Sequence, residues 1–347
     1  MESQIVNQPK NPDELYKNLP LNPDTGKRQI FIDASALKNS SCFRNLWYTV
    51  VMGYQTHSDK EHKLAFGSAI HIFLEDLYKG IAIKPAIERA VAYYKPYNDT
   101  LDLTVFEFRT TNNLIKICKE YIRNFSANGF GGEVLTWNDQ FDFKPHVGKD
   151  GKPLVEYKFA IPIWANDYID LMLSGTIDLV SRYNTIPHLL VDHKTSAMKI
   201  DEKFFAAYDW DIQPMLYCKV WKEANKLDYY PPFMINGIGC KKPTAKAEKD
   251  GKFDGVEFKR SGLIQYTDNQ MTQFDIWLGR QVQKLIANLM LWGKNYEPSK
   301  DYNMAACKSI YGQCKFFSIC KLPLNMQQQR IETAYNIHHY NPLAFRD

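Results

Sequence analysis

Strand-like segments follow one another in the middle of the chain, and they constrain the fold more than any other feature. Four segments are rich in β-branched and aromatic residues: EVLTWNDQFDF, LVEYKFAIPIW, DLMLSGTIDLVSRY and PHLLVDHKT. Turn-rich pieces such as VGKDGKP and RYNTIP separate them. Four strands in succession predict a meander. A fifth strand, PPFMINGIGC, is expected after an intervening helix.

Helical periodicity dominates the sequence before these strands. The segment IFIDASALK predicts a short extended piece and then a helix capped by Asp33 or Ser35. A second helix is expected from Gly67 to Gly80, where glycine suits a C-cap. Residues 85–128 are expected to be helical throughout. After the fourth strand, FFAAYDWDIQPMLYCKVWKEANK predicts one further helix, and QMTQFDIWLGRQVQKLIANLMLWG predicts a long one.

The order of these elements predicts an α/β protein in one integrated domain with four parts. Residues 1–28, rich in Asn, Pro and Lys, predict a flexible arm. Residues 29–130 are expected to form a helical region, 131–300 a mixed-sheet core flanked by helices, and 301–347 a cysteine-bearing tail.

Composition excludes several classes of protein. With 347 residues, of which 45% are hydrophobic, the chain can bury a large core, and seven cysteines are too few for a disulfide scaffold. A net charge of +4 permits a nucleic-acid partner but does not argue for one. No run of about 18 apolar residues and no signal-peptide core is present, so we expect a cytoplasmic protein without membrane contact.

The strand PHLLVDHKT ends in polar groups that suggest chemistry. Side chains alternate along a strand, so Asp192 and Lys194 should share one face while His193 points to the other. Asp178 ends the preceding strand, and a hairpin between the two strands would bring two carboxylates together. Such a pair repels by about 1 to 4 kcal/mol. A divalent cation removes the conflict, and oxygen ligands suit Mg²⁺ or Mn²⁺.

Lys194 then has a chemical use. An ammonium beside a metal site can orient a water, help to deprotonate it and stabilise charge on a phosphoryl oxygen. The residue types therefore predict metal-assisted hydrolysis of a phosphodiester. A lone Asp-x-Lys is more often part of an ordinary surface hairpin, so the prediction needs further signals.

The order of these residues resembles the active-site pattern of the PD-(D/E)XK nuclease superfamily, with Asp178 on one strand and Asp192, His193 and Lys194 on the next. That resemblance implies a restriction-endonuclease-like fold and a metal-dependent DNA nuclease. It extends to the RecB-like branch, which includes the RecB and AddB nuclease domains and CRISPR-associated adaptation exonucleases. The branch implies an exonuclease acting in recombination, repair or phage DNA processing.

Three further signals of that branch are present. Gly67, His71 and Glu75 match its G-x-x-x-H-x-x-x-E pattern, in which the His binds metal. By resemblance, His71, Asp178, Asp192 and the main-chain carbonyl of His193 would hold Mg²⁺ or Mn²⁺, with Glu75 as a possible participant.

The helix after the lysine strand carries Gln213 and Tyr217, which match the branch's Q-x-x-x-Y pattern and would position the active site or the substrate. Pro214 fits only if Gln213 opens the helix and the proline sits in its first turn. Glu156 lies on the strand where relatives often have an acidic residue, but an ordinary exposed position on a strand is an equally good interpretation.

Four cysteines resemble the ligands of an iron-sulfur cluster in the same branch. Cys42 follows Ser35 in an S-x-L-x-x-x-x-x-C-like pattern, and Cys307, Cys314 and Cys320 lie near the C-terminus. Four thiolates are what a 4Fe-4S cluster requires. The spacing C-x6-C-x5-C departs from the family's C-x2-C-x5-C, and the extra residues could bulge out. A four-cysteine Zn²⁺ site and buried free thiols remain alternatives.

The expected partner is DNA, as a single strand or as duplex ends. No GxxxxGK[ST] motif is present, so a helicase motor would be a separate chain, and a recombinase or CRISPR adaptation proteins are possible partners. Two other functions fit the same sequence: a CRISPR spacer-acquisition nuclease of the same chemistry, and a catalytically inactive DNA-binding or scaffold protein with the same fold.

Overall fold

A computed structural model describes most of the protein. The described residues are 16–56, 61–100, 108–125, 143–241, 245–250, 255–291, 307–309 and 312–343. The predicted strand EVLTWNDQFDF, residues 133–143, lies outside them except for its last residue. The chain divides into two compact units. The first unit comprises Met1–His57, Lys158–Thr176 and Asp268–Asp347, and the second comprises Ser58–Tyr157 and Ile177–Thr267.

The described residues form eleven strands and eleven α-helices. The strands are β1 Arg28–Ile32, β2 Tyr54–Thr56, β3 Lys144–Pro145, β4 Val155–Ala165, β5 Ile169–Tyr183, β6 Ile186–Ser196, β7 Phe233–Cys240, β8 Val256–Arg260, β9 Lys308–Ser309, β10 Gly312–Gln313 and β11 Tyr335–Ile337. The helices are α1 Ala34–Lys38, α2 Phe43–Val50, α3 Glu61–Tyr78, α4 Ile83–Asn98, α5 Thr111–Phe125, α6 Glu202–Ala206, α7 Ile212–Asn225, α8 Ala245–Lys249, α9 Asp268–Leu291, α10 Phe317–Lys321 and α11 Leu324–Ala334.

Seven of these strands form one mixed sheet, which confirms the predicted α/β fold class. Its main order is β1-β5-β6-β7-β8, and β3 and β4 also pair with β5. β5 and β6 are the expected antiparallel hairpin, β6 and β7 run parallel, and β7 and β8 are antiparallel. The parallel pair requires a crossover connection, and α7 lies in it.

Helices α3, α4 and α5 pack against the second unit's part of the sheet. The apolar stripe of α5, including Leu114, Ile117 and Tyr121, is fully buried. It shares a core with Leu189 and Val191 of β6. Those two residues alternate with Asp192 and Lys194, so this core fixes which strand face carries the polar pair. The cysteines at 118, 218 and 240 are buried, as expected for core residues.

Three helix predictions need correction. Residues 85–128 are not helical throughout, because α4 ends at Asn98 and α5 begins at Thr111, whose amide is capped by the Asn98 side chain at 2.9 Å. The predicted single helix after β6 is two helices, since Asp211 caps a new one. α3 does not begin at Gly67 but at residue 61, so Gly67 lies inside it.

The predicted helix cap at Asp33 and part of the predicted N-terminal arm lie in the first unit. β1 pairs in parallel with the first residues of β5, and Asp33 caps α1 by accepting a hydrogen bond from the Ala36 amide at 2.7 Å. Tyr16 and Leu19, within the segment expected to be an arm, are buried. No helix among the described residues is long and apolar enough to cross a membrane.

The core beneath the polar strand end gives a stability prediction. Leu189→Ala removes a fully buried side chain from β6 and should lower the free energy of unfolding by about 2 to 5 kcal/mol, measured by urea denaturation. Leu263→Ala, at a side chain that is 45% exposed in the same unit, is the matched control and should change it by less than about 1 kcal/mol. Equal losses in the two variants would contradict the packing described.

Candidate active site

Asp192 and Lys194 form an ion pair at the end of β6. The Lys194 ammonium lies 2.9 Å from Asp192 Oδ1 and 2.7 Å from Oδ2, so it contacts both carboxylate oxygens. The Asp192 side chain is 2% exposed and that of Lys194 is 28% exposed. The alternation expected from the sequence therefore does place both groups on one face, with the ammonium on the more open side.

Gln213 clamps this pair from α7. Its Nε2 donates to Asp192 Oδ1 at 2.7 Å and its Oε1 accepts from the Lys194 ammonium at 3.1 Å. Asp211 caps the helix by accepting from the Gln213 amide at 2.8 Å. Pro214 therefore falls in the first helical turn, where proline is tolerated. Buried Tyr217, one turn further on, has its hydroxyl 3.2 Å from Gln213 Nε2.

A second group of ligand atoms meets beside this clamp. His71 Nδ1 lies 3.6 Å from Asp178 Oδ2 and 3.8 Å from Glu156 Oε1. The ligand atoms of these three side chains all lie within 4.8 Å of one another. Among the described residues, no other group of three or more His, Cys, Asp or Glu side chains meets that criterion. Ligands around a Mg²⁺ ion at about 2.1 Å lie about 3 Å apart when adjacent and about 4.2 Å apart when opposite. The observed separations therefore fit one small cation.

Glu156 is not a plain exposed strand position, so that reading from the sequence is wrong. Its side chain is only 13% exposed and faces His71. Its backbone has φ of 50° at the second residue of β4, a conformation that costs a non-glycine residue free energy. Such strain at an inward-facing carboxylate is typical of a functional site, and nothing in the sequence spacing could have signalled it.

Local packing brings α3 and the β5–β6 hairpin to the same place. The register pairs Leu179 with Val191, which puts Asp178 opposite Asp192, and Asp178 Oδ2 accepts from the His193 amide at 2.7 Å. A side chain at Gly67 would place its Cβ 3.1 Å from Thr195 Oγ1, so glycine lets α3 approach the end of β6. His71 lies one turn after Gly67.

The His193 side chain points away from the ion pair into the core, as the alternation predicts. It is 3% exposed, stacks on the Tyr78 ring at 5.6 Å, and has its Nδ1 2.9 Å from Asn236 Nδ2. Burial lowers the pKa of His193 well below its usual value, and positive neighbours lower it further, so the ring is neutral. Glu75, the other helical candidate, pairs with Lys79 at 2.5 Å and lies outside the three-residue group.

The electrostatics of the site favour an additional cation. Burial alone would lower the pKa of His71, but Asp178, Glu156 and Asp192 outweigh it and raise that pKa to about 9. Burial raises the pKa of Asp192 to about 6, against the opposing effect of Lys194. Three carboxylates and one ammonium leave a charge of −2 when His71 is neutral. A divalent cation balances that charge, so the residues present fit Mg²⁺ or Mn²⁺.

The four cysteines expected to bind metal converge in the first unit. Burial raises the pKa of the Cys314 thiol, and Cys42 and Cys307 raise it further. Cys314 and Cys42 act in the same way on Cys320. β9 and β10 form a hairpin between Cys307 and Cys314, and the Cys314 amide donates to the Cys307 carbonyl at 2.9 Å. This hydrogen bond brings the backbones of Cys307 and Cys314 together, although six residues separate the two cysteines in the sequence.

Two hydrogen-bond donors from α2 contact these sulfurs, and neither was predicted from the sequence. Asn45 Nδ2 lies 3.7 Å from Cys314 Sγ, and buried Arg44 hydrogen-bonds the Cys320 thiol and lowers its pKa against the larger effect of burial. Their signal in the sequence is their position directly after Cys42. Among the described residues, which include all four cysteines, no three thiols lie within 4.8 Å of one another. A tetrahedral zinc site would hold its sulfurs about 3.8 Å apart.

A comparison of the sequence with models of known protein families identifies a family. The family model of the PD-(D/E)XK nuclease superfamily matches residues 38–321. That range contains His71, Glu156, Asp178, Asp192 and Lys194. No curated protein matches the chain at a significant level.

Metal binding tests the three-residue group directly. Glu156→Gln removes one carboxylate charge from the site, so the dissociation constant for Mn²⁺ should rise about tenfold or more in calorimetric titration. Glu88→Gln, an exposed carboxylate on α4, is the matched control and should bind Mn²⁺ like the unmodified protein. An unchanged affinity in the Glu156 variant would remove that residue from the ligand set.

Proposed function

The chain belongs to the PD-(D/E)XK nuclease superfamily, a family of metal-dependent nucleases, and from this premise we propose that it is a DNA exonuclease of the RecB-like branch. The observation that carries the proposal is the arrangement of two adjacent clusters. His71, Glu156 and Asp178 fit one cation, while Asp192, Lys194 and Gln213 are hydrogen-bonded beside them. Recombination, repair or phage DNA processing is the proposed setting.

In the proposed mechanism, His71, Glu156, Asp178 and Asp192 would hold a divalent cation, with the His193 main-chain carbonyl as a further ligand. When bound, the cation would neutralise charge on the scissile phosphate and favour deprotonation of the attacking water. The contact of the His193 amide with Asp178 supports the carbonyl's inclusion, because it places the main chain of that residue at the site.

Lys194 acts as a fixed cation. Burial alone would lower its pKa, but Asp192 and Asp178 outweigh burial and raise the pKa to about 12. The side chain is therefore protonated at neutral pH, and it serves by donating a hydrogen bond to the attacking water and by stabilising negative charge on the phosphate.

Gln213 and Tyr217 are proposed to position the active site. Both polar atoms of the Gln213 amide are used on Asp192 and Lys194, and the Tyr217 hydroxyl contacts the same amide. Tyr217 is 6% exposed. These contacts favour positioning of the reactive groups over direct contact with the DNA strand.

The cysteines are proposed to bind a 4Fe-4S cluster. Four thiolates are the number of ligands that such a cluster requires, and the electrostatic influence of Cys42 and Cys307 on Cys314 supports their proximity. The Arg44 cation and the Asn45 amide would stabilise thiolate charge by hydrogen bonding to Cys320 and Cys314. The cluster is given a structural role, since it would join residues that are far apart in the chain.

Loss of the ion pair tests the nuclease assignment. Asp192→Asn and Lys194→Ala should each lower the rate of cleavage of end-labelled DNA with Mg²⁺ or Mn²⁺ by at least about 10²- to 10³-fold. Binding of the same DNA should largely persist, because each substitution changes only one side chain at the scissile phosphate and affinity for DNA is summed over many phosphate contacts. Lys152→Ala, at an exposed lysine in a turn, is the control. Products stepping inwards from one labelled end would support exonuclease action, and undiminished cutting by either variant would refute the roles assigned.

Metal analysis tests the cluster. Protein purified without oxygen should contain about four iron atoms and four sulfides per chain, and Cys314→Ala should lose most of both. Cys240→Ala, at a buried cysteine of the second unit, should retain them. One zinc per chain and no iron would replace the cluster by the zinc site. No metal of either kind would leave the thiols as free side chains.

A further inference from the structure

The turn between α6 and α7 exposes a large apolar side chain. Trp210 is 69% exposed, and within the part of the chain that the structure describes no aromatic ring packs against it. An indole left in water is one of the largest apolar surfaces that a single side chain can present. Phe204, Phe205 and Tyr208, which precede it, differ because their rings pack on one another at 5.3 and 5.6 Å.

Trp210 is held at a fixed place beside the proposed active site. It directly precedes Asp211, whose carboxylate caps α7, and lies three residues before Gln213, whose amide contacts Asp192 and Lys194. On its other side, the Tyr208 carbonyl accepts from the Asp211 amide at 3.2 Å and from the Tyr266 hydroxyl at 3.2 Å. The turn is therefore anchored at both ends.

The charges around this turn argue against a role in phosphate binding. Lys199 and Lys203 are exposed there, but so are Glu202 and Asp209, so the surface has no net positive charge. A contact with DNA at Trp210 would thus be made through the face of a base. Aromatic side chains stack on bases of any sequence, at a gain that alanine substitution commonly reveals.

We propose that Trp210 is a stacking site for an unpaired base of the scissile strand, next to the cleaved phosphate. Inside a duplex both faces of a base are covered by its neighbours, so an indole can stack on a base only in a single strand or at a duplex end. The substrate class inferred is accordingly DNA with unpaired bases. This inference rests on the proposed nuclease function and extends it to strand preference.

The test measures binding without cleavage, in the Asp192→Asn background with Mg²⁺. Trp210→Ala should raise the dissociation constant for a fluorescent oligothymidylate of about 20 nucleotides by about tenfold. Trp210→Phe should stay within about threefold, because a phenyl ring still stacks. Affinity for a relaxed, covalently closed circular duplex, which has neither unpaired bases nor ends, should not change in either variant. Tyr229→Ala, at a 39% exposed aromatic after the other end of α7, is the matched control and should leave both affinities unchanged.

The salt dependence of binding and the cleavage kinetics distinguish base stacking from phosphate contact. Trp210→Ala should leave the salt dependence of binding unchanged, since no phosphate contact is removed. In the otherwise unmodified enzyme it should raise KM on single strands with little change in kcat. Unaltered single-strand binding, or equal weakening on both DNAs, would overturn the stacking site while the nuclease assignment stands. A parent protein that neither binds nor cuts DNA would overturn both.

Discussion

The second unit is organised around negative charge that is held out of water. Glu156, Asp178 and Asp192 converge with a single ammonium, that of Lys194, and their side chains are nearly buried. Buried carboxylates at such spacing repel one another and lose hydration, so they persist only where positive charge balances them. The raised pKa of His71, at about 9, is the response of the chain's own residues to that imbalance. A divalent cation is the alternative response, with His71 neutral.

The surrounding fold supports this arrangement on both faces of β6. The core under Leu189 and Val191 fixes the register of the strand, and the Gln213 clamp from α7 fixes the polar pair on the opposite face. A shift of β6 by one residue would exchange the two faces and place Asp192 in the apolar core. The rigidity of the sheet is thus what holds the reactive groups in one geometry.

Much of this arrangement could be predicted from the sequence, because it depends on local periodicity. Strand alternation placed Asp192 and Lys194 together, and the short connection after Asp178 predicted the hairpin. Gly67 was predicted to begin α3, whereas it lies inside that helix and allows its close approach to β6. The left-handed backbone of Glu156 could not be predicted, since no spacing reports φ.

The other differences between the predicted and the observed structure depend on tertiary packing. The aromatic run before α7 has helical composition, but α6 ends at Ala206 and Asp211 caps the next helix, which leaves Trp210 in a turn between them. Whether an indole is buried depends on which elements pack over it, and a single sequence does not contain that information. The donors Arg44 and Asn45 became recognisable only once α2 and the C-terminal cysteines were seen to meet.

The central claim is that one divalent cation is held between α3, β4 and β5 by His71, Glu156 and Asp178. Anomalous diffraction from crystals soaked in Mn²⁺ tests it most directly. The account predicts a single strong peak about 2.0 to 2.3 Å from ligand atoms of all three residues. A protein that takes up Mn²⁺ only at other side chains, or leaves this position empty at saturating Mn²⁺, would contradict it.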